Sequence, residues 1–181
     1  MPWTSKYNAQ FTKPLVRQLV GIIQRDQRAA LDFVGGAGVF ADFQDYQFAL
    51  TPITQFPAVQ LTPLRIDFDE EAVGTLHQVV QLGCVVAVSH QDPQPLAELL
   101  EDYVRAVDAI FNTIVPSDFT AALTLTHRMF SGGSITTAGI QAGSAVTKLF
   151  VASHDYSEIK AQHDKFAMAG ILSVIVEMEE K

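Results

Sequence analysis

The stretch Thr75-Leu76-His77-Gln78-Val79-Val80-Gln81-Leu82-Gly83-Cys84-Val85-Val86-Ala87-Val88-Ser89 decides how the rest of the chain is read. Leu76, Val80, Leu82, Cys84, Val86 and Val88 fall on one side of a period-two pattern, the mark of a β-strand with one face in a core. The other side carries Thr75, His77, Val79, Gln81, Gly83, Val85, Ala87 and Ser89, too mixed for a simple solvent face. These fifteen extended residues span roughly 50 Å, far more than the ~5–6 residues of an ordinary strand. Such a strand bends or projects beyond its own domain, and Gly83 is the expected place for a bend or bulge.

Downstream, Asp92-Pro93-Gln94-Pro95 opens a helix, with Asp92 as N-cap and Pro93 in the first position. Leu96, Leu99, Leu100, Tyr103, Val104, Val107, Ile110, Phe111 and Ile114 keep the helical 3,4 spacing, Glu98, Glu101, Asp102, Arg105 and Asp108 take the outer face, and Pro116 ends the run. Upstream, Thr12 to about Leu31 is a second amphipathic helix, with Pro14 in its first turn and a stripe of Leu15, Val16, Leu19, Val20 and Ile23. The Gly35-Gly36-Ala37-Gly38 cluster stops it. Aromatic-rich Val39 to Leu50 favours short strands and turns. Ala58 to Leu64 reads as a strand, followed by an acidic turn at Asp67-Phe68-Asp69-Glu70-Glu71 ending near Gly74. Beyond Pro116 the pattern predicts a helical turn at Ser117–Leu123, strands at Leu123–Phe130, Ala145–Ser153 and Phe166–Met178, a flexible Gly/Ser/Thr-rich loop at 131–144 and a polar loop or short helix at His154–Asp164. The expectation is one α+β domain over 1–181: a mostly antiparallel sheet with long strands, and two amphipathic helices packed on one face.

Composition narrows the possibilities. The 181 residues carry a net charge of -8, which argues against a general nucleic-acid binder. Hydrophobic residues make up 48% and charged residues only 18%, against roughly 25% charged in an average domain. Disorder, collagen-like repeats and a disulfide scaffold are excluded. Either the core is unusually large or surface is hidden against other subunits. Met1 to Gln10 lack the apolar core of a signal peptide, and no run approaches the ~20 apolar residues of a membrane span. The single Cys84 cannot form an internal disulfide, which fits a reducing compartment.

The usual sources of chemistry fail on physical grounds. Gly35–Gly38 lacks the Lys-Ser/Thr of a P-loop, and Gly132-Gly133 and Gly139–Gly143 lack a dinucleotide-binding turn. His154-Asp155 and His163-Asp164 repeat nine residues apart, which is no metal-ligand spacing, and read as a solvated polar loop; Cys84 with His77 or His90 would suggest a thiol nucleophile. Cys84 lies on an apolar strand face and reads as a small core residue. Ser131 and Ser134 have no nucleophile-elbow context. Asp67 to Glu71 lack the alternation of a calcium loop. No catalytic residue, cofactor site or metal site is assigned.

Four stretches carry a family resemblance: Pro14-Leu15-Val16-Arg17-Gln18-Leu19-Val20, Phe56-Pro57-Ala58-Val59-Gln60-Leu61, Gln78 to His90 running into Pro95-Leu96-Ala97-Glu98-Leu99-Leu100, and Ala169-Gly170-Ile171-Leu172-Ser173-Val174-Ile175-Val176-Glu177. Together the segment order resembles that of the tail-terminator and tail-completion (neck) proteins of long-tailed bacteriophages. The Phe40–Phe48 segment and the Ser131–Ser144 loop depart from the pattern. The resemblance implies a structural protein of the virion tail or neck, assembled in the host cytoplasm, with no enzymatic activity and no cofactor. It implies a closed ring, usually of six subunits, that caps the tail tube and joins it to the head. The partners implied are further copies of the chain, the tail tube, sheath proteins and a head-completion connector, with DNA passing through without specific binding and no membrane. On this reading Asp67, Asp69, Glu70, Glu71, Glu177, Glu179 and Glu180 are expected to face the channel. Ser131, Gly132, Gly133, Ser134, Gly139 and Gly143 are expected to form an interface loop, protease-sensitive in the free subunit and protected in the assembly. The competing expectations are another neck, sheath-capping or baseplate component of similar fold, and a small cytosolic α+β enzyme or ligand-binding domain with a pocket lined by His127 or His154.

Overall fold

The computed structural model describes residues 12–47, 52–72, 75–114, 145–162 and 164–180. Their order is α1 (Thr12–Gly35), β1 (Asp45–Gln47), β2 (Ala58–Ala72), β3 (Thr75–His90), α2 (Leu96–Thr113), β4 (Ala145–Tyr156), β5 (Lys160–Gln162) and β6 (Lys165–Glu180). The strands form one sheet in the order β1-β2-β3-β6-β4, with β5 also paired to β6. Every pairing is antiparallel except that of β1 with β2. The fold is therefore α+β with a mostly antiparallel sheet, as the patterning predicts. Ser117–Leu123, Leu123–Phe130 and the 131–144 loop lie outside the described residues.

The period-two face of β3 packs as its sequence requires. Val80, Leu82, Cys84, Val86 and Val88 are fully buried, and they lie beside Val176, Val174, Leu172, Gly170 and Met168 of β6. The helices cover this face. Leu15, Leu19, Ile23 and Leu31 of α1 and Leu96, Leu100, Val104, Val107 and Phe111 of α2 join one core with it. α2 lies over β3, β6 and β4, while α1 packs on α2 and reaches β2. Burying a side chain of this kind stabilises the fold by about 1.5–3 kcal/mol.

Four local readings are corrected. The acidic 67–71 segment is strand, not turn: β2 runs to Ala72, with Asp67 opposite Val79 and Asp69 opposite His77. The carboxylates of Asp67 and Asp69 are tolerated because both residues are exposed and the ladder to β3 supplies the backbone bonds. The irregularity expected at Gly83 sits instead in the partner strand. Gly83 keeps unbroken register with β6, whereas β2 shifts between Pro63 and Arg65, at Leu64. The missing side chain of Gly83 leaves room there, since a Cβ would lie 3.3 Å from Leu64 Cδ1. The polar 154–164 segment is no plain loop or helix: β4 continues to Tyr156 and β5 follows at 160–162. Backbone pairing to β6 outweighs side-chain polarity on an edge. Finally, α2 starts at Leu96 with Pro95 as N-cap and no side-chain cap bond. The Asp92 carboxylate instead accepts from Gln94 N at 2.9 Å, closing a turn one step early.

The helix α1 ends as predicted in the glycine cluster, where Gly36 and Gly38 take φ of 91° and 74°, the left-handed region that side chains disfavour. Asp32 Oδ1 accepts from Gly38 N (3.0 Å) and from Arg28 Nε (3.0 Å), and Arg28 Nη1 donates to Phe40 O and Asp42 Oδ1. Beyond this knot Phe40, Phe43, Tyr46 and Tyr103 cluster, with Phe43–Tyr103 ring centroids 5.4 Å apart and the Tyr103 hydroxyl donating to Ala41 O. Phe40, Phe43 and Tyr46 thus tie the end of α1 to α2 and lead into β1.

Candidate assembly surface

The sheet face away from the helices carries four of the acidic residues singled out from the sequence, Asp67, Asp69, Glu177 and Glu179. Registers place Asp67, Val79, Glu177 and Lys148 in one row across β2, β3, β6 and β4. The next row on the same face holds Asp69, His77, Glu179 and Ala145. Two acidic segments more than a hundred positions apart in sequence thus meet at one end of one face. Asp67 is exposed and pairs with Arg65 Nε at 2.8 Å, while half-buried Glu177 is paired by Lys148 Nζ at 3.5 Å. Glu70, Glu71 and Glu180 belong to the same strand ends, and their side chains lie outside the described residues. So do Ser131, Gly132, Gly133, Ser134, Gly139 and Gly143.

Farther along this face the residues turn apolar: Val85, Ile171, Ile175 and Phe150 alternate with Gln81 and Ser173, whose side chains bond at 3.2 Å. Ala58, Gln60 and Ala87 are buried at the far end, where Pro52, Ile53, Phe56, Ser157 and Lys160 wall a groove of about 310 Å3 with Gln60 and Ala87. A second groove, of about 330 Å3, runs between α1 and α2 and is lined by Ala29, Ala30, Phe33, Ala109, Ile110 and Thr113. His154 lines neither groove. Its Nε2 meets Asp108 Oδ1 of α2 at 3.3 Å, so the neighbouring Asp155, which points to the other face, is not its partner. His127 and His163 lie outside the described residues.

Both long edges of the sheet are open among the described residues. β1 pairs only with Ala58–Gln60, which leaves the outer side of β2 from Leu61 onward unpaired, and β4 terminates the other side. Two large apolar side chains on the open part of β2 stand in solvent, Leu64 at 57% and Phe68 at 50% exposure. Sequence reasoning missed this edge because it took residues 67–71 as a turn; the signal was the alternation of Ile66 and Phe68 with Arg65, Asp67 and Asp69.

The core thiol of Cys84 is pushed up to about 12 by burial, the opposite of an activated nucleophile. Among the described residues no three His, Cys, Asp or Glu side chains gather to hold a metal ion. No helix among them is long and apolar enough to cross a membrane.

No family model matches the chain, and no curated protein matches it. One solved structure similar to it is a chain of the virion of a native gene transfer agent (GTA) particle, with 10% sequence identity, a TM-score of 0.46, and 94% of this chain and 99% of that one covered. A likeness that remote assigns neither family nor role.

Proposed function

We propose that the chain is a ring-forming structural subunit of a phage-like virion, capping the tail tube and joining it to the head or neck. The observation that carries this reading is the open strand β2, which among the described residues has a partner on its outer side for only three of its 15 residues and exposes Leu64 and Phe68 beyond them. Long exposed edges with apolar side chains are an aggregation hazard that proteins remove by pairing or covering them. Closed head-to-tail assembly removes every edge at once. The family resemblance read from the sequence points to the same kind of ring. In such a ring the helices lie outward and the acidic corner of Asp67, Asp69, Glu177 and Glu179 lines the bore. A negative wall there lets DNA pass without adhering. The apolar stretch of the same face meets the tube.

Native mass spectrometry and electron microscopy of the purified protein test the reading, with a closed ring of about six copies expected. In the particle-forming system, loss of the protein yields tubes of unregulated length. A ring with normal tube length in its absence favours another neck, sheath-capping or baseplate role. A strictly monomeric protein overturns the proposal.

A further inference from the structure

Resting on the ring reading above, we propose that successive copies join edge to edge, β2 of one against β4 of the next, in an antiparallel ladder that sets Asp67 of one copy beside Lys148 of its neighbour. Strand direction permits this. β2 is antiparallel to β3, β3 to β6 and β6 to β4, so β2 and β4 run oppositely at the two edges. A rotation about an axis along the strands keeps those directions, and the β4 brought against β2 makes an antiparallel pair. Joining two copies through β2 alone would leave both β4 edges open.

The rows set the register. Asp67 and Lys148 are the two ends of one row, so neighbours sitting level place them side by side. Lys148 then lies between two carboxylates, Glu177 of its own copy and Asp67 of the next. Both end residues reach solvent, with side-chain exposures of 54% and 58%. The adjacent row on the same face ends in Arg65 and Phe150, a cation beside an aromatic ring. The row on the other side ends in Asp69 and Ala145. None of the three junctions opposes like charges, and two are complementary. A slip of one residue would turn the charged side chains of one edge to the opposite face and lose both.

Zero-length carbodiimide cross-linking of a mixture of 14N- and 15N-labelled protein tests this, because Lys148–Glu177 at 3.5 Å is a control within each copy. The expected product is a mixed-isotope peptide joining Lys148 to Asp67, present in the oligomer and absent after dissociation. Asp67→Lys and Lys148→Glu each weaken assembly several-fold at low salt, as expected for an exposed pair, and the double variant recovers most of the loss. Amides within 61–72 and 145–156 exchange more slowly in the oligomer than in the free subunit. An oligomer whose Lys148 couples only to Glu177, and whose edge amides exchange as in the free subunit, overturns the edge pairing while the ring reading stands. Slow edge amides without the Lys148–Asp67 product overturn the register. A chain that stays monomeric at millimolar concentration overturns the ring reading and this pairing with it.

Discussion

Gly170 of β6 lies directly under Val104 of α2, so close that a Cβ on Gly170 would fall 2.6 Å from the Val104 Cγ2 methyl. The helix sits on bare backbone at this point, which is how α2 comes low enough to bury Leu100, Val104 and Val107 together. Gly170→Ala is expected to lower stability by about 1–3 kcal/mol through overpacking, with part recovered in Gly170→Ala/Val104→Ala. Gly83→Ala is the contrast: its neighbour Leu64 is an exposed side chain that can swing away, so a cost below about 1 kcal/mol is expected. Urea unfolding midpoints of the four proteins check both.

Val104 is 1% exposed in the middle of the α2 stripe. Val104→Asp places an unpaired carboxylate in this apolar core, at a cost of several kcal/mol. That is comparable to the whole stability of a small domain, so the variant is expected not to fold. A cooperative thermal transition followed by circular dichroism would show the core assignment to be wrong.

Asp32 holds the turn after α1, and its carboxyl lies below the usual carboxylate range because Gly38 N donates to it and Arg28 stands beside it. Its contribution is therefore present above the unfolded value near 3.8 and is lost as pH falls below it. Asp32→Asn keeps the shape and removes the charge. Amide exchange at Gly38 is expected to speed up several-fold, and the fall of stability between pH 5 and pH 2.5, read from urea midpoints, becomes shallower.

On the alkaline side the sign reverses. Burial pushes Cys84 up from 9.0 to about 12, and Tyr46, mainly by burial, from 10.0 to about 12. The folded chain holds these protons more tightly than the unfolded one. Their contribution is whole below the unfolded values, near pH 9 for Cys84 and pH 10 for Tyr46, and is lost progressively up to about pH 12; for the buried thiol the loss is roughly 1.4 kcal/mol per pH unit, and for the partly exposed Tyr46 solvent makes it smaller. Cys84→Ala lowers stability at neutral pH by about 1 kcal/mol through the lost volume, yet flattens the decline between pH 9 and pH 10. An unchanged slope there would mean that the thiol is not the titrating group. Thiol reagents are likewise expected to modify Cys84 only as fast as the protein opens.

Much of this architecture was determined by the sequence alone. The period-two run of Thr75–Ser89, the 3,4 stripes of the two helices and the alternation of Phe166–Met178 specify amphipathic elements, because the spacing of buried side chains follows directly from backbone geometry. Their burial specifies α+β layering. Local polarity misled where backbone pairing overrides it. Residues 67–71, 154–156 and 160–162 are acidic or polar, yet all three stretches are strand, since an edge strand needs only a hydrogen-bonding neighbour and can leave its side chains in water. The Leu64 irregularity could not be read from Gly83, because the two meet only across the ladder. Only the tertiary structure decided which residues share a row. Strand order and register are long-range choices, made by the packing of the whole core, and they alone bring Asp67, Glu177 and Lys148 onto one line running from β2 to β4.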